Sequence, residues 1–285
     1  MPTSLRDIER KRDRLLEILS GYGQVAVAFS AGVDSSVVAQ AAHFACGKDA
    51  VAVTAVSLSL AAGEKEEAEQ LAARIGIRHI VISTQEFADP NYLKNPVNRC
   101  YFCKTELYSR LIELAPTLGV NVLANGANLD DRGDYRPGMQ AAAEFQVRSP
   151  LIEAEFTKAD VRELAKFWDL PVWDKPATPC LSSRIAYGVE VTPERVRRID
   201  QAEHFLKQLL NVRELRVRCE ANDLARIEIS LETLPTLLTT EMRDRIRAEF
   251  HRLGFRFVTL DLDGFRSGSM NSIISVDDLV NGLRK

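Results

Sequence analysis

Val25-Ala26-Val27-Ala28-Phe29-Ser30-Ala31-Gly32-Val33-Asp34-Ser35-Ser36 is the stretch whose reading decides the fold. Small and β-branched apolar residues run up to Phe29 and read as a strand of a buried parallel sheet. Ser30 to Ser36 predicts a tight turn, and the apolar pattern from Val37 through Ala45 predicts a helix. A strand–turn–helix junction aims backbone N–H groups and hydroxyls outward beside the positive end of a helix dipole. Phosphate is the ligand such a junction suits. An ordinary βα turn is the plainer alternative.

Around this stretch, strand and helix patterns alternate as far as residue 178. Strands are expected at 24–30, 50–57, 78–83, 121–126 and near 146–150, and helices at 4–20, 34–46, 63–75, 104–118, 134–145 and 157–168. Thr157-Lys158-Ala159-Asp160 opens the last helix with a capping threonine and an early acid. The alternation predicts an α/β fold with a doubly wound parallel sheet. Ligands of such sheets sit beyond the carboxyl ends of the strands, where Ser30 to Ser36 falls. Pro171, Pro176 and Pro179 mark a linker or site loop. Beyond it come a helix at 193–210, strands at 215–219 and 225–229, a helix at 241–253 and a strand at 255–262. That order predicts a smaller α+β domain, so two domains are expected, 1–178 and 179–285.

The 285 residues are 46% apolar and 27% charged, ordinary values for a soluble protein. A net charge of −3 gives no bulk electrostatic case for nucleic acid as a partner. No apolar run is long enough to span a bilayer, and Met1 to Leu19 has no signal-peptide core. A cytoplasmic protein is expected, with its five cysteines mostly reduced or bound to metal.

Cys100 and Cys103 form a C-x-x-C pair, a spacing that suits one metal or a redox couple. Cys180 lies far along the chain in Pro179-Cys180-Leu181-Ser182-Ser183-Arg184. Three thiolates suit three irons of a [4Fe–4S] cluster and leave the fourth iron open. Zinc is the rival and needs a fourth ligand. Cys46 and Cys219 read instead as buried small hydrophobes, and His43, His79, His204 and His251 have no ligand-like spacing. Lys104 and Arg184 flank the cysteines, either to favour the thiolates or as solvated surface charges.

The opening stretch resembles the PP-loop signature S-G-G-x-D-S of ATP pyrophosphatases, with Ala31 in place of the second residue, Gly. One methyl there is tolerated if φ is negative. No Walker A pattern occurs. Nearly the whole chain resembles the LarE family of ATP-dependent sulfur transferases. The likeness rests on Phe29 to Ser35, Asp134-Tyr135-Arg136-Pro137-Gly138, Cys180 to Arg184 with Tyr187-Gly188, Arg216-Val217-Arg218, Ala225-Arg226-Ile227-Glu228, and Thr259 through Gly268 with Met270-Asn271. It implies adenylation and thiolation of a pyridinium biscarboxylic acid mononucleotide during nickel-pincer nucleotide synthesis. One kind of family member sacrifices the sulfur of a single cysteine, matched by Cys180. The other adds a C-x-x-C pair to hold a [4Fe–4S] cluster, and Cys100 and Cys103 place this chain with it.

Ser30, Gly32, Asp34, Ser35 and Ser36 are the candidates for gripping pyrophosphate, with Asp34 orienting the loop or holding Mg²⁺ through water. Ser57, at the end of the second strand, is a candidate for the adenosine. Arg216 and Arg218 lie two apart on a strand and so share a face. Paired guanidiniums suit a phosphate monoester, and a solvated sheet face is the alternative. The resemblance assigns that pair and Arg266 to the substrate phosphate, and Glu203 to a metal at a subunit junction. Thr233 to Thr239 departs from the family pattern, which leaves a second acidic ligand unassigned. Asp131 and Arg136 are expected near the nucleotide or in turn roles. The resemblance also implies a homo-oligomer, with a hexamer as one form. A PP-loop enzyme that thiolates tRNA and a non-catalytic nucleotide or iron–sulfur carrier are the rival readings.

Overall fold

The computed structural model describes residues 5–133 and 137–266. The motif residues Asp134, Tyr135 and Arg136, and those from Ser267 on, including Met270 and Asn271, lie outside the described residues. The chain forms two compact units. The first takes in Met1–Ser57, Ala62–Glu86 and Cys100–Thr178, and the second Leu58–Ala61, Phe87–Arg99 and Pro179–Lys285.

The first unit contains α1 (Leu5–Tyr22), β1 (Val25–Ala28), α2 (Val33–Cys46), β2 (Ala50–Val56), α3 (Glu64–Ile75) and β3 (Arg78–Ser83). The short α4 (Pro90–Leu93) belongs to the second unit, and the chain then re-enters the first. There follow α5 (Arg99–Leu118), β4 (Val122–Ala124), α6 (Pro137–Glu144), α7 (Pro150–Glu153) and α8 (Lys158–Phe167). Among the described residues the strands run parallel in the order β3-β2-β1-β4. Alternate residues of β1 face opposite layers, as the strand period requires. Val25 and Val27 pack with Leu15, Val37, Leu71 and Leu164, whereas Ala26 joins Val51, Val53, Leu107 and Ala141. Helices therefore cover both faces, and the α/β doubly wound sheet is as expected.

The strand expected near 146–150 is a correction. Only one bridge forms, Ala124 with Arg148. Gln146 takes φ +54°, which breaks the extended run. Pro150 has no N–H to give a ladder and instead opens α7. The capping threonine is as read: Thr157 accepts from the Asp160 N–H, and Asp160 accepts from the Thr157 N–H.

In the second unit, α9 (Pro193–Leu210) is followed by β5 (Arg216–Glu220), β6 (Leu224–Glu228), α10 (Leu234–Leu237), α11 (Thr240–Leu253) and β7 (Phe257–Leu260). β5 and β6 are antiparallel, β6 and β7 parallel, in the order β5-β6-β7. Val196, Ile199, Ala202, Glu203 and Leu206 form the buried stripe of α9, at the spacing of one helical face. Among the described residues no helix is long and apolar enough to cross a membrane.

Candidate functional site

β1 ends at the loop Phe29-Ser30-Ala31-Gly32. The helix begins at Val33, earlier than the turn read from sequence. Asp34, Ser35 and Ser36 therefore lie in the first helical turn. Gly32 caps that turn with extended backbone (φ −78°, ψ 159°) and no side-chain bond, so first-turn N–H groups face the space beyond the strand ends. The Ser35 hydroxyl donates to the Gly32 carbonyl (3.1 Å) and accepts from the Ser30 N–H (3.2 Å). Ser30 Oγ lies 3.2 Å from Ser35 Oγ and accepts from the Gly32 N–H (3.4 Å). Ser36 is fully buried, and its hydroxyl also donates to the Gly32 carbonyl (2.8 Å).

Ala31 is a second correction. Its φ is +53°, in the left-handed region, and its side chain is 1% exposed. The methyl is accepted because it packs in the core beside Phe29 and Val33. Its carbonyl accepts from Lys175 Nζ (3.4 Å), which also pairs with Glu67 (2.6 Å).

Asp34 donates nothing and is held from both sides. Lys158 Nζ donates to Oδ2, and Asn128 Nδ2 to Oδ1 (3.0 Å). Asn128 is set by the loop after β4: its N–H donates to Asp131 Oδ2 (2.9 Å) and its Oδ1 accepts from the Asp130 N–H (3.0 Å). Asp131 thus has the turn role. Asp130 in turn accepts from the Lys158 N–H (2.8 Å). Gly126 lets this loop approach, since a Cβ there would sit 2.7 Å from the Ser35 nitrogen. Lys158, Asn128 and Gly126 were not singled out in the sequence as site residues. Lys158 stood next to its cap, where only a helix start was legible. Ser57 follows β2 directly and is half-buried.

Under the loop, the Thr54 hydroxyl donates to the Phe29 carbonyl (2.9 Å), and His79 Nε2 lies 2.8 Å from the same hydroxyl. The hydroxyl proton is committed, so His79 Nε2–H is the donor. Burial pushes the His79 pKa down, with Glu69 opposing.

Cys100 and Cys103 lie in the first turn of α5, three apart and on one face. Cys100 is exposed and Cys103 half-buried. Gly138 packs closely here: a Cβ would lie 3.0 Å from Lys104 Cγ. Lys104 Nζ lies 5.9 Å from the Tyr108 ring centre. No disulfide joins the cysteines among the described residues; Cys219 is buried, as expected, whereas Cys46 is half-buried and donates to the Leu19 carbonyl. Among the described residues no three His, Cys, Asp or Glu side chains assemble as a metal ligand set.

In the second unit, Cys180 is half-buried at the start of a short 3₁₀ turn, Leu181–Arg184. Arg184 is 1% exposed, not a solvated charge. It donates to the carbonyls of Pro179 (2.6 Å) and Cys180 (3.3 Å) and to Glu203 Oε1 (3.0 Å). Arg216 and Arg218 are 7% and 5% exposed, which removes the solvated-face alternative. Arg218 grips Glu228 through two bonds (3.0 and 2.8 Å) and donates to the Ser183 carbonyl (3.0 Å). Arg216 lies 5.0 Å from the Phe265 ring centre. Burial, then the Arg184 charge, pulls its guanidinium down to about 10. Crowded cations of this kind favour an anion. Arg266 is exposed and paired with Asp263 (2.9 Å). Glu203 is buried, its Oε1 taken by Arg184 and by the Val217 N–H (3.1 Å).

A parallel sheet whose inner strand ends in Ser-Ala-Gly-Val-Asp-Ser, with hydroxyls and helix N–H groups gathered there, defines a PP-loop α/β protein. No protein-family model matches the chain. An uncharacterized protein of Synechocystis sp. is 45% identical over 268 residues, 94% of this chain and 99% of that protein. The pyridinium-3,5-bisthiocarboxylic acid mononucleotide synthase of Lactiplantibacillus plantarum is 36% identical over 267 residues, 93% of this chain and 95% of that enzyme. The tRNA-specific 2-thiouridylase of Xanthobacter autotrophicus is 30% identical over 197 residues, 54% of this chain and 49% of that protein. The chain belongs to the LarE family.

Proposed function

We propose that the chain is an ATP-using, AMP-forming sulfurtransferase that converts a carboxylate of pyridinium-3,5-biscarboxylic acid mononucleotide to a thiocarboxylate. One observation carries the reading: a PP-loop stands in a chain that spans 95% of a relative named as the synthase of the bisthiocarboxylic acid mononucleotide. A carboxylate resists attack because the addition would put more charge on an anion. Its oxygen therefore attacks the α-phosphorus of ATP, and pyrophosphate leaves. Sulfur at the sulfide level then attacks the acyl carbon, a C–S bond forms, and AMP leaves.

In this reading Ser30, Gly32 and Ser35 hold phosphate oxygens through N–H and hydroxyl donors. Lys158 stands by as a cation for the same charge. Asp34, whose side chain is 23% exposed, is the carboxylate that would hold Mg²⁺. When bound, Mg²⁺ neutralises phosphate charge. Arg216, Arg218 and Arg266 hold the phosphate monoester of the substrate, and Ser57 lies on the adenosine side.

Cys100, Cys103 and Cys180 are the sulfur-handling residues. Their pattern supports a [4Fe–4S] cluster as the proposed cofactor, and the C-x-x-C pair offers two thiols on one turn of helix. A cytoplasmic homo-oligomer acting on a small nucleotide, not RNA, completes the proposal.

The test is exchange of labelled pyrophosphate into ATP, with and without the pyridinium dicarboxylate mononucleotide. Exchange that requires this acid is the expected result, and its absence would overturn the reading. Iron and sulfide analysis after anaerobic purification tests the cluster: about four irons per chain are expected, with loss on Cys100→Ala.

A further inference from the structure

The family resemblance marks Glu203 as a metal ligand, and its surroundings do not fit one. The carboxylate is 4% exposed, and Oε1 already accepts from Arg184 Nε and the Val217 N–H. A cation there would face the Arg184 guanidinium, itself buried and without water to replace its partner.

We propose instead that Glu203 and Arg184 are positioning residues that couple the phosphate-binding strand β5 to the Cys180 loop. β5 is a sheet edge among the described strands, so the outward N–H of Val217 needs an acceptor. Glu203 supplies it from the buried stripe of α9. Val217 lies between Arg216 and Arg218, so Glu203 fixes the backbone that carries both. On its other side the same carboxylate orients Arg184, which reaches back to the carbonyls of Pro179 and Cys180. A second route runs in parallel: Arg218, gripped by Glu228, donates to the Ser183 carbonyl. Residues 179–184 are thus tied to β5 twice. A phosphate monoester drawn to Arg216 and Arg218 offsets the repulsion among three guanidiniums, and the clamp on Cys180 tightens. The role of Cys180 rests on the sulfur-transfer reading; the clamp does not.

The experiment measures alkylation of each cysteine of the full chain by iodoacetamide, resolved by peptide mass mapping. In Glu203→Gln and in Arg184→Lys, Cys180 is expected to react about tenfold faster, the scale of one lost hydrogen bond to a charged group. Cys46, half-buried on α2 and outside the proposed sulfur site, serves as the internal reference and keeps its rate. Ribose 5-phosphate, a monoester without a base, is expected to slow Cys180 in the parent and not in the variants. Unchanged Cys180 rates in both variants overturn the proposal. So does equal acceleration of Cys46 and Cys180, which marks general loosening. Stoichiometric divalent metal in the parent that is lost in Glu203→Gln also overturns it. If neither variant folds, the parent decides alone: no protection by ribose 5-phosphate sinks the coupling. Missing pyrophosphate exchange in the parent strikes the functional reading and leaves these outcomes standing.

Discussion

Lys158 Nζ donates to Asp34 Oδ2 across the mouth of the loop that ends β1. Both side chains are partly exposed, 37% and 23%, so the pair contributes little to stability. Its value is electrostatic. An ammonium already held beside first-turn N–H groups can pass to a phosphate oxygen when nucleotide enters. Lys158→Met is expected to lower kcat/KM for ATP by about tenfold or more, equal to roughly 1.4 kcal/mol of transition-state stabilisation. Its urea midpoint should stay close to that of the parent. An unchanged kcat/KM in the exchange assay tells against the role.

Gly126 has no room for a methyl. The atoms in the way are backbone, Ser35 N at 2.7 Å and Asp34 C at 3.0 Å, and backbone in a helix turn cannot step aside. Gly126→Ala is expected to displace the loop, weaken ATP binding and cost about 1–3 kcal/mol of stability. Gly21→Ala is the control, because nothing lies within 4 Å of its Cβ position. Calorimetric titration with ATP and urea unfolding of both variants make the comparison.

Ala31 balances two terms. A left-handed φ costs a non-glycine residue roughly 1–2 kcal/mol, while its buried methyl returns about 0.8 kcal/mol. Ala31→Gly is expected to change stability by no more than about 1 kcal/mol, whereas Ala31→Val, branched at that φ, should lose several times as much. Urea unfolding separates them.

If Arg216 holds the substrate phosphate as proposed, that binding depends on pH. Its folded pKa is depressed to about 10, mainly by burial, so the folded state sheds this proton before the unfolded chain does. Between about 10 and the unfolded value, stability tied to this group therefore rises with pH. Phosphate binding has the opposite sign, because the anion needs the charged form. Stabilisation by ribose 5-phosphate, read as a rise in Tm, is expected to be full near neutral pH and to shrink as pH approaches 10. Arg216→Gln should remove most of the rise at every pH.

Much of this was legible in the sequence, for definite reasons. β1 and β2 stand out because buried parallel strands need unbroken small and β-branched runs, and Val25 to Ala28 supplies one. Thr157 announces α8 because its cap bonds are local. The stretch near 146–150 misled because Val147 and Arg148 carry strand chemistry while Gln146 and Pro150 decide the backbone. The resemblance assigns Glu203 to a metal, yet it stands four residues after Ile199 on the apolar stripe of α9. A carboxylate on such a stripe announces a buried partner, though not which one. Lys158 and Asn128 were hidden because their meaning arises from Asp34, 124 and 94 residues away.

Asn95 shows what the excursion of residues 87–99 into the second unit entails. Buried, with φ +52°, its amide donates to the carbonyls of Ile185, Ala186 and Val189 at 3.2, 2.8 and 2.9 Å. A polypeptide made from the C-terminal third alone would lack the amide that pairs with those three oxygens. Neither half can be obtained by a single cut in the gene. Ribosomal synthesis must also run 94 residues past this asparagine before its third acceptor exists.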